Sequence, residues 1–230
     1  MKKIVVLTGA GISAESGIPT FRDANGLWEN HRIEDVATPE AWERNPQLVL
    51  EFYNYRRRKL REVKPNDGHL ALVDLELKYN VSIVTQNVDD LHERAGSKHI
   101  VHLHGELLKV RSTEYPDLIY PWINDLEMGD HCERGYQLRP HIVWFGEMVP
   151  MIEVAADLVS EADIVIIVGT SMQVYPAAGL VAYAPQNIPI YYIDPKPSIN
   201  FELSRSPNMH VIAEKATTGV RKVAEELLAL

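Results

Sequence analysis

The sequence predicts an α/β protein: a doubly wound parallel sheet of alternating strands and helices, with a smaller domain inserted into it. Three observations predict this. Short apolar, β-branched runs at residues 4–7, 81–85, 163–168 and 188–193 carry little or no polar interruption, the pattern of strands buried on both faces. Helical spacing of apolar residues separates them, as at Val220, Val223 and Leu227. Small or polar residues follow three of the runs at once, at 9–11, 86–89 and 169–171. In open parallel sheets, ligands bind outside the carboxyl ends of strands.

Composition limits the function. A chain of 230 residues with 46% hydrophobic residues can bury a substantial core as one large domain, with or without an insert. The net charge of −9 argues against nucleic acid or an anionic membrane as the main partner. Cys132 is the single cysteine, so no internal disulfide can form, and a reducing compartment is expected. The apolar run after Met-Lys-Lys is too short for a signal sequence, and no run approaches the ~20 residues of a membrane span. A cytoplasmic protein is expected.

Ile4-Val5-Val6-Leu7 reads as a central strand. Gly9, Ala10 and Gly11 follow, and glycine permits a tight turn with close approach of a bulky anion. Ser13 is expected to cap a helix whose N–H groups favour a diphosphate. This is a Rossmann-like, dinucleotide-binding opening, but it departs from the usual fingerprint. Gly17 lies six positions after Gly11 rather than three, and the acidic residue expected ~20 residues on is missing. Pro19, Phe21, Arg22 and Asp23 instead put a ring, a cation and a carboxylate on a loop beside the site.

Thr38-Pro39-Glu40 reads as a helix start, and 46–61 as a helix with Leu48, Phe52 and Tyr55 as its apolar stripe. A helix over 69–77 is expected to turn Leu70, Val73 and Leu77 inward. The strand 81–85 ends in Gln86-Asn87-Val88-Asp89, and a strand near 99–103 ends at His104-Gly105. Residues 106–140 are polar, aromatic and poorly periodic, which reads as an inserted loop-rich module. A strand over 141–145, a helix over 152–160 and a strand into Gly169-Thr170-Ser171 follow. The last strand, 188–193, precedes Asp194-Pro195, and Thr218-Gly219 precedes a closing helix. The expected division is 1–24, 65–104 and 142–230 for the dinucleotide-binding domain, 25–64 for a helical module and 105–141 for the insert.

Six linked motifs occur in the order and spacing of one family: Gly9-Ala10-Gly11-Ile12-Ser13, Pro19-x-Phe21-Arg22, Thr85-Gln86-Asn87-Val88-Asp89-x-Leu91-His92, His104-Gly105, Phe145-Gly146-Glu147 and Gly169-Thr170-Ser171. The chain resembles the sirtuins, NAD-dependent protein lysine deacylases, over nearly its whole length. The resemblance implies that the acyl-lysine oxygen attacks the nicotinamide ribose of NAD and expels nicotinamide, and that water then releases lysine and O-acyl-ADP-ribose. It makes His104 the general base, a role that suits an imidazole near neutrality. It makes Asn87 and Asp89 the pair that orders ribose and nicotinamide, and Gln86 a ribose contact. Phe21 would shield the reactive centre and Arg22 would hold diphosphate or order the loop. Gly9, Ala10, Gly11, Ser13, Trp28, Val88 and Gly169 complete the cofactor lining, with Thr170 and Ser171 near the phosphates and Asp194 and Ala216 over the adenosine. Val143, Phe145, Gly146 and Glu147 on one side and Val174 on the other would flank an acylated peptide held as an added strand. A mono-ADP-ribosyltransferase and a non-catalytic NAD or ADP-ribose sensor remain alternatives on the same site.

Tyr53 and Arg56, three apart on one helix face, match the Tyr-x-x-Arg pair of class III sirtuins, and Ala37 matches a small residue that leaves room for a longer acyl chain. Phenol and guanidinium together suit a succinyl or malonyl tail. Consecutive arginines point about 100° apart, so only one of Arg56, Arg57 and Arg58 can share the direction of Tyr53. Most sirtuins hold a structural zinc on four cysteines in the insert. Here Ser112 stands at the first position and only Cys132, beside His131, is present. No zinc is expected, with Tyr115, Tyr120, Trp122 and Leu126 as a small apolar core in its place.

Overall fold

The computed structural model describes residues 1–20 and 30–230. Its strands are β1 (Lys3–Thr8), β2 (Asn80–Thr85), β3 (Ile100–His102), β4 (Gly105–Ser112), β5 (Ile119–Pro121), β6 (Leu138–Ile142), β7 (Ile164–Val168), β8 (Ile190–Ile193) and β9 (Met209–Ile212). Six form one sheet in the order β3-β2-β1-β7-β8-β9, with every neighbour parallel. The helices are α1 (Ile33–Val36), α2 (Pro39–Arg44), α3 (Pro46–Glu62), α4 (Asp67–Leu75), α5 (Leu91–Ala95), α6 (Ile152–Ser160), α7 (Phe201–Ser204) and α8 (Ala216–Ala229).

The uninterrupted apolar runs follow from burial on two faces. Ile4 and Val6 of β1 and Ile164, Ile166 and Val168 of β7 meet one core, which α4 and α8 cover. Val5 and Leu7, with Val165 and Ile167, alternate to the other side, under α6 and the 3-10 segment Ala177–Tyr183. A third core joins α1, α2 and α3 to β4 and β6 through Val36, Phe52, Tyr53, Leu107, Ile142 and Trp144. Thr38 caps α2 by accepting from the Ala41 N–H at 3.0 Å, with Pro39 in the first turn as expected. Among the described residues, no helix is long and apolar enough to cross a membrane.

Several expectations need correction. The capping box at Asn66 starts α4 at Asp67, two residues before the expected start; packing on the sheet turns His69, Ala71, Leu72 and Leu75 inward, while Leu70 and Leu77 face solvent. Tyr55 is also exposed; α3 buries Val49, Leu50, Phe52, Tyr53, Arg57 and Leu60 instead. The strand expected at 141–145 ends at Ile142 and belongs to a second sheet, β5-β4-β6, which is antiparallel. That sheet, irregular in the β4–β6 register, gives order to the region read as loop-rich. A sixth parallel strand, β9, follows the one expected to be last; its alternation was too short to signal a strand.

The closing helix begins at Ala216, so Gly219 lies inside it, with Val220, Val223 and Leu227 buried as expected. A Cβ on Gly219 would lie 2.5 Å from Cγ2 of the buried Ile193. Alanine improves helix propensity by about 1 kcal/mol over glycine, but overpacking a core costs about 1–3 kcal/mol. Gly219→Ala is therefore expected to lower Tm by about 2–4 °C in a thermal melt; a raised Tm would show that Ile193 yields without strain.

Candidate functional site

The chain runs from β1 outward to β2 and β3, then returns to place β7 on the opposite side of β1. The turns leaving β1 and β7 therefore diverge, and a crevice opens between them at the strand carboxyl ends. Their backbones touch. Gly9 N–H donates to the Val168 carbonyl at 3.0 Å, and Gly11 N–H to the Gly169 carbonyl at 2.8 Å. A Cβ on Gly11 would sit 2.6 Å from the Gly169 Cα, and Gly169 itself has φ +60°. Only glycine fits at these two positions.

Ser13 does not cap a regular helix, contrary to expectation. The chain takes two 3-10 turns, Ala10–Ile12 and Ala14–Ser16, with Ser13 between them. Its hydroxyl donates to Asp89 Oδ2 at 2.9 Å. Asn87 Nδ2 reaches both the Gly9 carbonyl and Ser13 Oγ at 3.2 Å. The glycine turn and the 86–89 turn are thus tied together by buried side chains. Asp89 also accepts from Leu91 N–H at 3.1 Å, and burial pushes its carboxyl above the usual carboxylate range.

One cavity of about 1210 Å³ runs through this region. It is lined by Gly9, Ala10, Gly11, Ser13, Gln86, Asn87, Val88, Asp89 and His104, by Gly169, Thr170, Ser171, Asp194 and Ala216, and by Ala37, Tyr53, Arg56, Val143, Phe145, Gly146, Glu147 and Val174. Phe21, Arg22 and Trp28 lie outside the described residues. Every other site residue expected from the sequence therefore meets in one space.

His104 faces the cavity with Nδ1 at 3.0 Å from the Gln86 carbonyl. A carbonyl only accepts, so Nδ1 carries the hydrogen and Nε2 keeps its lone pair. Burial holds this imidazole below the ordinary histidine value, against the backbone bond, so it is neutral at pH 7. Gln86 Nε2 donates to Thr170 Oγ1 at 3.1 Å, which ties the β2 and β7 turns. The Asp194 carboxylate accepts from Lys196 N–H at 2.8 Å and shapes the turn after β8.

At the other end of the cavity Tyr53 is fully buried and accepts from the Trp144 indole N–H at 3.1 Å. Burial pushes its phenol up to about 12, so it stays protonated. The Arg56 guanidinium carbon lies 5.9 Å from the Tyr53 ring centroid. The three arginines diverge: Arg57 is buried, with Nε donating to the Leu107 carbonyl at 3.1 Å, and Arg58 pairs with Asp125. Glu147 lines the cavity, but its carboxylate is taken up by Arg139 at 2.7 Å, by Arg111 at 3.3 Å and by the Trp144 N–H at 2.8 Å. It braces the 143–147 segment. Trp144 itself escaped the sequence reading, although a buried indole N–H needs a partner.

A model of the Sir2 family matches residues 9–176. The chain belongs to the Sir2 family. It is 56% identical, over 230 residues, to an NAD-dependent protein deacylase of Helicobacter pylori (strain ATCC 700392 / 26695), spanning 100% of this chain and 99% of that one. A solved complex of a Sir2 homologue with NAD superposes with a TM-score of 0.88 at 37% identity, covering 99% of this chain and 90% of the other. A Sir2 structure bound to an acetylated peptide superposes with a TM-score of 0.79 at 27% identity, covering 99% and 94%.

Cys132 is surrounded by apolar residues. Among the described residues, no group of three ligand side chains gathers at Cys132, whose thiol instead lies 3.4 Å from Ser112 Oγ. Leu50, Val110, Leu126, Cys132 and Leu138 form an apolar cluster there, with Tyr120 and Trp122 against it. Tyr115 stands apart, edge-on to Tyr136. Asn54 exchanges two 2.9 Å bonds with the backbone of Leu126, and Arg57 bonds Asn54 Oδ1 at 2.7 Å.

Beneath the crevice, His92 Nε2 lies 3.1 Å from Thr8 Oγ1, and its ring meets His69 edge-on at 4.9 Å between centroids. Among the described residues, His69 Nε2 and His92 Nδ1 have no hydrogen-bond partner. Burial lowers His69 to about 4 and holds His92 well below the ordinary value. Both favour the folded state only when neutral, so stability is full above the unfolded value of about 6.5 and is lost as pH falls toward 4. The loss from His69 alone is expected to reach about 3 kcal/mol by pH 4. In denaturant titrations His69→Gln, which keeps an acceptor at the capping position, is expected to flatten this acid slope. An unchanged slope would assign it to other groups.

Proposed function

We propose that this chain is an NAD-dependent protein deacylase acting on acylated lysine, and that it accepts acyl groups ending in a carboxylate. The observation that carries the reading is the position of His104. An oriented, neutral imidazole opens on the same cavity as a glycine cradle that no Cβ could share. The Sir2 homologue of similar fold was solved with NAD, which supports a nucleotide in this space.

Bound NAD supplies a ribose carbon that takes the acyl oxygen as nicotinamide leaves. The chain supplies placement and proton handling. His104 Nε2 accepts a proton from a ribose hydroxyl and hands it on to solvent. Asn87 and Asp89, held by Ser13 and Leu91, order the nicotinamide end, and Gln86 the ribose. Residues 143–146 and 173–175 line the cavity, and an extended peptide held between them would bind with little sequence demand. Neutral His104 is the working form, so the acid limb of kcat/KM is expected below the ordinary histidine value, because burial lowers it. His104→Ala is expected to reduce kcat by at least about 100-fold, with nicotinamide release as the readout.

Tyr53 and Arg56 support the acyl preference. Both line the cavity, Tyr53 as a protonated donor and Arg56 as a fixed cation. A charge-assisted pair to a carboxylate is worth about 1.5–3 kcal/mol, so Arg56→Met is expected to lower kcat/KM for succinyl-lysine about 10- to 100-fold while changing that for acetyl-lysine less than about threefold. Equal losses on both peptides would refute the preference. Labelled target protein in place of O-acyl-ADP-ribose would point to ADP-ribosyl transfer.

The insert, in this reading, needs no zinc. Its hydrogen bonds to Asn54 and Arg57 and its apolar cluster do the bracing. Less than about 0.1 zinc per chain by elemental analysis, with Tm unchanged by a chelator, is the expected result; stoichiometric zinc would refute it.

A further inference from the structure

His102 ends β3, two residues before His104, yet it does not line the cavity. Its side chain is only 10% exposed. Both ring nitrogens face oxygen acceptors: Nδ1 lies 3.2 Å from the Asn87 carbonyl and Nε2 lies 2.6 Å from Glu93 Oε1. A carbonyl and a carboxylate only accept, so both nitrogens must donate, and an imidazole with two hydrogens is a cation. The two histidines thus hold successive carbonyls of one turn, His104 that of Gln86 and His102 that of Asn87.

The surroundings agree. Burial opposes the charge on His102, but the bond and charge of Glu93, with the charge of Glu106, outweigh it and raise its pKa. The other ionisable groups facing it are His92 and Asp89, whose own values respond to its charge, and Lys109, which is paired to Glu106 at 2.7 Å. His92 is neutral, so the balance around His102 is acidic.

We propose that His102 is a positioning residue: as an imidazolium bridging Glu93 to the Asn87 carbonyl, it holds the 86–89 turn in its NAD-binding form, and loss of its proton releases that turn. A neutral ring retains one hydrogen. Whichever nitrogen keeps it, the other then sets a lone pair against an oxygen, either the Asn87 carbonyl or the Glu93 carboxylate. The turn carries Gln86, Asn87 and Asp89, so loosening it weakens the cofactor site. Glu93, His102 and Glu106 have ligand atoms within 4.8 Å of one another, but a doubly protonated ring has no lone pair for a metal.

The inference rests on the NAD site proposed above, and its test is binding rather than turnover. The Kd for NAD, measured by calorimetry from about pH 6 to about pH 10, is expected to rise roughly tenfold across an alkaline limb. Glu93→Gln keeps an acceptor for Nε2 but removes the charge that favours the cation, so the limb is expected to move down by about one pH unit. His102→Asn, whose amide stands where Nδ1 stands, is expected to bind NAD without that limb. The imidazole ¹³C shift of His102 in the wild-type chain should titrate with the same midpoint as Kd. A Kd that ignores pH over this range, or a limb that Glu93→Gln leaves in place, overturns the role of His102. Absence of NAD binding at every pH overturns the NAD site itself, a result distinct from the other two.

Discussion

Two turns that leave parallel strands β1 and β7 rest backbone on backbone, and the distance between them leaves no room for a side chain. The remainder of the site is registered against that contact. Asn87 grips the Gly9 carbonyl, Ser13 grips Asp89, and Gln86 reaches across to Thr170. A side chain added at Gly11 would push the sheet's central turn away from its neighbour and carry the bonding network with it. The close approach is possible because the strand order reverses at β1, where the turns on either side point apart.

The second half of the cavity wall belongs to a different core. Tyr53 and Trp144 pack with Val36, Phe52, Leu107 and Ile142, residues from α1, α3, β4, β6 and the segment after it. The helical segment and the insert are therefore one packing unit. Several of its buried polar groups bond within the chain: Asn54 serves the backbone of Leu126, Arg57 serves Leu107, and the Arg139 guanidinium lies 3.3 Å from the centroid of the Trp144 ring while bonding Glu147. Buried donors matched in this way fix one arrangement of the wall.

The parallel sheet was legible because its strands are apolar on both faces, a signal that needs no partner to be read. The site was legible because its residues cluster at strand ends and at distinctive spacings. Faces and edges were harder. The buried stripe of α4 and the exposure of Tyr55 on α3 depend on what covers each helix, which apolar spacing alone does not reveal. Strand β9 is four residues long with an exposed interior, so no periodicity announced it. The second sheet arises from pairing between segments far apart in sequence, Arg111 with Arg139 among them, which no local pattern reveals. Ser13 reads locally as a cap, and only the tertiary approach of Asp89 turns its hydroxyl elsewhere.

The bond from the Trp144 indole engages the Tyr53 oxygen as an acceptor. With its oxygen engaged by the indole, the protonated phenol keeps a hydrogen to donate, beside a guanidinium that can also only give. Under the reading proposed above, a purely hydrocarbon acyl tail that reached this end of the cavity would offer those donors no acceptor.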